Sequence, residues 1–107
     1  MSNVIHCSLP LACDAITPGT GTVIEYLWFT APTLVDIVAL RAAVAAQIAA
    51  GARPTGYAVA TEAGAAPSVY VGDFTYGDEP YAFVVAVDDL GNYVQSGDTV
   101  GPKPAEG

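Results

Sequence analysis

The chain has 107 residues, which suits one domain with a core modest enough that each large apolar side chain counts. Hydrophobic residues make up 52% of it and charged residues 13%, against about 25% charged in an ordinary globular domain; this excludes wholesale disorder and leaves a surface poor in charge, as if a partner covered part of it. Eleven acidic against three basic residues give a net charge of −8, and Arg41, Arg53 and Lys103 are too few and too scattered to neutralise nucleic-acid phosphates or an anionic membrane.

Residues 4–9 alternate in type and read as a short strand that stops at Pro10. An irregular stretch runs to the turn Pro18-Gly19-Thr20-Gly21. Residues 22–29, Thr-Val-Ile-Glu-Tyr-Leu-Trp-Phe, are rich in β-branched and aromatic types and predict a strand. A helix follows over 34–50. Thr33 supplies an N-cap and Asp36 an acid in the first turn. Gly51 is a natural stop, with Pro54 beyond it. Four more strands are predicted at 56–62, 68–74, 80–87 and 92–95, separated by turns at 63–67, 76–79 and 88–91. Gly91 suits a positive φ in the last of these turns. In the 80–87 strand Tyr81, Phe83, Val85 and Val87 share one face, and Ala82, Val84 and Ala86 the other.

The order β-β-α-β-β-β-β implies an α+β fold, one helix packed on a mostly antiparallel sheet. Residues 1–96 form the single domain. Residues 97–107 are a Gly/Pro-rich tail, mobile if isolated and ordered only if held, for which a neighbouring subunit is the expected holder. The opening Met1-Ser-Asn-Val-Ile-His-Cys has no basic region before a long apolar run and does not read as a signal peptide. The helix is too short, and too interrupted by Asp36, Arg41 and Gln47, to span a membrane. Two free thiols are therefore expected at Cys7 and Cys13, with a disulfide left open.

At 100° per residue, Leu34, Ile37, Val38, Leu40, Val44 and Ile48 form one broad stripe, and Ala39, Ala43, Ala46 and Ala50 lie opposite beside Asp36 and Gln47. Arg41 falls near the middle of the larger stripe. Two orientations follow. In one, the stripe faces the sheet and Arg41 reaches the core's edge or pairs with a carboxylate such as Glu25. In the other, the alanines lie on the sheet and Leu40, Arg41, Val44 and Ile48 dock on another subunit, together with Val100 and Pro102 of the tail.

No catalytic or cofactor site is expected. His6 is the only histidine; its neighbour Cys7 would point to the opposite strand face, while Cys13 could approach it after the turn, which leaves a Cys–His pair open. His6, Cys7, Cys13 and Asp14 lack the paired spacing of structural zinc sites. Asp73, Asp78, Glu79, Asp88, Asp89 and Asp98 cluster at turns without the regular run of a calcium loop. Gly19-Thr20-Gly21 precedes a strand, not a helix, and is no phosphate loop. The tyrosines at 57, 70, 76, 81 and 93, with Phe74 and Phe83, fit cross-strand packing. They also leave open a small monomeric binding module that uses tyrosines and acidic loops.

The bias toward Ala, Gly, Pro, Val and Asp with a single lysine, the charge-poor surface and the polar tail resemble the small virion proteins of tailed bacteriophages that infect GC-rich hosts, such as capsid decoration or minor capsid proteins. The resemblance is one of overall style and transfers no residue roles. It implies a non-enzymatic structural subunit located in the virion, without cofactor or metal, whose partners are other protein subunits in a homo-oligomer or a capsid lattice.

Overall fold

The computed structural model describes residues 6–12, 21–62, 68–75, 78–95 and 99–103. Its elements run β1 (His6–Ala12), β2 (Val23–Ala31), α1 (Leu34–Ala49), β3 (Val59–Glu62), β4 (Ser68–Thr75), β5 (Tyr81–Asp88) and β6 (Tyr93–Gln95). Four strands form an antiparallel sheet in the order β3-β2-β5-β6, and β1 pairs with β4 as a separate two-stranded ribbon. The expected α+β fold, one helix on an antiparallel sheet, is the one adopted.

The central strands β2 and β5 are apolar on both faces because both faces are covered. Leu27, Phe29, Val85, Phe83 and Val87 point toward α1 and pack with Ile37 and Val44; Phe29 and Phe83 stack with centroids 4.7 Å apart. Tyr26, Trp28, Ala82, Val84 and Ala86 form a second cluster on the opposite face, against which Phe74 of β4 packs. The buried Trp28 donates its indole Nε1–H to Thr61 Oγ1 at 2.8 Å, which ties the edge strand β3 to β2.

α1 begins where the sequence places it. Thr33 Oγ1 accepts the Asp36 amide at 3.1 Å. At the other end the Gly51 amide bonds Ile48 O and the Ala52 amide bonds Gln47 O, the paired bonds of a Schellman stop. Gln47 then holds the outgoing loop, donating to Thr55 Oγ1 and accepting the Thr55 amide.

β1 differs from its expected span, running through Pro10 to Ala12. Proline lacks a donor, yet a two-stranded ribbon leaves one side of each strand without a ladder, so an edge can hold it. The tail also differs. Val100 and Ala82 exchange backbone hydrogen bonds at 2.8 Å each, and the Lys103 amide bonds Pro80 O at 3.0 Å. The holder of residues 99–103 is thus the chain's own β5, on the side that β6 also occupies. Gly101 makes this possible: at φ 135°, a Cβ built there would lie 2.7 Å from Tyr81 Cδ2 and 2.9 Å from Pro80 O. Residues 1–5, which include the start of the strand expected over 4–9, and 13–20, 63–67, 76–77, 96–98 and 104–107 lie outside the described residues. So do Cys13, Asp14, Asp98 and most of the Pro18–Gly21 turn, as do the side chains of His6, Cys7, Tyr70 and Asp73.

Candidate interaction surface

α1 settles which of its sides meets the sheet. Ile37 and Val44 are buried, and Leu40 and Ile48 are half-buried against the same cluster. Arg41 lies at the core's edge with its guanidinium carbon 5.1 Å from the Phe83 ring centroid. The orientation with the alanines on the sheet is therefore not adopted, and Leu40, Arg41, Val44 and Ile48 serve the chain's own core. Large β-branched and leucine side chains fill the space above β2 and β5 better than alanine methyls, which would leave voids. Glu25, considered as a partner for Arg41, instead pairs with Arg53, Nη1 to Oε1 at 3.0 Å. Of the tail residues, Val100 and Pro102 are exposed.

The outward side of α1 is unusual. It has ten exposed positions, and only Asp36 among them is polar; the others are leucine, valine or alanine. Leu34, Val35 and Val38 keep 55%, 79% and 57% of their surface. An ordinary surface helix covers its outer face with charge, and this one lacks it over some four turns, which makes the face a candidate for interaction. The pattern is graded along the axis, with the larger side chains in the first turns and only alanines exposed from residue 39 onward. Periodicity missed part of this, because it grouped Leu34 and Val38 with the core stripe.

The acidic loops and tyrosines present less. Asp88 is the buried charged residue among those described. Its carboxylate accepts the Leu90 amide at 3.0 Å, the Asn92 amide at 2.7 Å and Asn92 Nδ2 at 3.0 Å. Burial pushes this carboxyl up, but the hydrogen bonds from Asn92, Leu90 and Gly91 together outweigh it and hold it below the ordinary range. Asp89 accepts the Thr22 amide at 2.9 Å. Asp88 fastens the β5–β6 hairpin, where Gly91 has the expected positive φ of 83°, and Asp89 ties its turn to the residue before β2. Tyr26 is buried, and Tyr81 and Tyr93 pack against the helix-side core. Tyr57, at the surface, lies edge-on to Phe29 and beneath the Arg53 guanidinium.

Among the described residues no three His, Cys, Asp or Glu side chains gather as metal ligands, and no helix is long and apolar enough to cross a membrane. In comparisons with known proteins, no family model, no curated protein and no solved structure matches the chain.

Proposed function

We propose that this chain is a non-enzymatic structural or accessory subunit of a larger protein assembly, seated on its neighbours through the outer face of α1. The observation that carries the reading is that face: ten exposed positions with one polar residue among them, on a chain of net charge −8. Leaving such a face in water forfeits hydrophobic free energy that docking would recover, at roughly 25 cal/mol per Å² of apolar surface covered. The stylistic resemblance to tailed-phage virion proteins suggests one class of assembly, a capsid lattice carrying this chain as a decoration or minor subunit. A binding module working through tyrosines and acidic loops has less support, since Asp88 is occupied within its own hairpin and Asp89 accepts the Thr22 amide.

The test is the mass at which the chain migrates in gentle extracts of the cells or particles that make it. The wild type should run with a high-mass fraction and Val35→Glu as free chain, with both equally folded by circular dichroism. Co-migration of both variants, in either fraction, would defeat the proposal.

A further inference from the structure

Resting on that reading, we infer that the occupant of the outer face of α1 is a second copy of this chain, packed antiparallel about a two-fold axis beside Ala42. The face holds both halves of a complementary pair. Its first turns expose Leu34, Val35 and Val38, while its later turns expose only alanine. With the axis at Ala42, Val35 of each copy lies over Ala49 of the other, and Val38 over Ala46. Large thus meets small along the helix and the backbones can approach closely. A parallel pair would instead set valine on valine at one end and leave a gap at the other.

Electrostatics chooses the same arrangement. Antiparallel helices place each N-terminal turn over the partner's C-terminal turn, where no basic residue offsets the carbonyl end. The two Asp36 carboxylates then sit about 18 Å apart along the axis, at 1.5 Å rise per residue, beyond the Debye length of about 8 Å at physiological salt. In a parallel pair they would be neighbours. A partner chosen by charge would have to be basic, and it would be drawn to exposed acids such as Asp78 and Glu79 and not to this nearly uncharged face. The strip is about 24 Å long and about 10 Å wide, well short of the roughly 800 Å² per partner of a standard interface. The dimer is therefore weak by itself, and an assembly that holds many copies would reinforce it.

Sedimentation equilibrium of the full chain from about 10 µM to about 1 mM tests this. The mass should rise from one chain toward two and stop there, with association strengthened by added salt as repulsion between acidic bodies is screened. Val38→Lys and Ala46→Glu should each weaken association roughly tenfold by burying an unpaired charge. The double variant should recover most of the loss, because the two positions face each other only across the axis; within one helix they are more than two turns apart. Both sites are exposed, and unchanged thermal melting of the variants checks the fold. A chain still monomeric at 1 mM, a dimer indifferent to both single changes, or a double variant weaker than either single one would overturn the inference. A strict monomer that nevertheless loses its high-mass fraction with Val35→Glu would overturn this inference alone and leave the docking reading standing.

Discussion

Replacing Val44 by alanine and, separately, Val35 by alanine asks which side of α1 holds the fold. The chemistry is identical and the two sites lie on one helix, but Val44 retains 1% of its surface and Val35 79%. At Val44 the change deletes two buried carbons, about 1.6 kcal/mol at 0.8 kcal/mol per group. The unfilled space beside Phe83 and Val85 adds a cavity cost, and alanine's better helix propensity returns about 0.5 kcal/mol. The net loss is about 2 kcal/mol, or a midpoint lowered by about 10 °C for a domain of this size. At Val35 only the propensity term acts, so stability should stay within about 0.5 kcal/mol of wild type. Urea unfolding at low micromolar concentration, followed by fluorescence of the single buried tryptophan, Trp28, measures both. Equal losses at the two sites, or a larger loss at Val35, would refute the orientation of α1 and everything built on its outer face.

Three further outcomes are expected. The Asp88 carboxyl is held below its ordinary value in the fold, so the stability it contributes is present above the unfolded value near 3.9 and is lost as pH falls through the lower folded one; acid titrations of wild type and Asp88→Asn should diverge in that window, and parallel acid slopes would contradict the hairpin anchor. Gly101→Ala should free residues 99–103 from β5, seen as lost hydrogen-exchange protection at the Val100 and Ala82 amides, which exchange bonds in the native fold; unchanged protection would contradict the close approach at Gly101. Thr61→Val should leave the Trp28 indole N–H without its acceptor, cost about 1–2 kcal/mol in urea unfolding and speed exchange of that indole proton, whereas a loss under about 0.5 kcal/mol would show the bond to be dispensable.

The elements were legible wherever the signal was local. Thr33 and Gly51 bracket α1 on the page as they do in the fold, and the two-sided alternation of β5 is visible in its residues alone. What was not legible depends on distant contacts. Nothing near Pro10 says that β1 pairs with β4 and so can carry a proline at an edge. Nothing in the Gly/Pro-rich tail announces that Val100 will join Ala82. The site was the least legible part, for a physical reason. Periodicity locates a buried face by contrast with a polar one, and α1 supplies almost no contrast, since Ile37 and Val44 face inward while Val35 and Val38 face water. Arg41 added to the ambiguity, because a cation in an apolar stripe fits either the edge of a core or a docked face until Phe83 is found beneath it. The same lack of contrast that blurred the inner face is the ground on which the outer one is proposed as a docking surface.

The most direct test of that claim is hydroxyl-radical footprinting of the chain inside its native high-mass fraction and as purified protein at low concentration. The account predicts that Val35 and Val38 are oxidised in the free chain and protected in the assembly, while Ile24 and Leu90, exposed on other parts of the surface, react equally in both. Equal oxidation of Val35 and Val38 in the two states, with protection appearing at Leu90 and the hairpin tip instead, would contradict it.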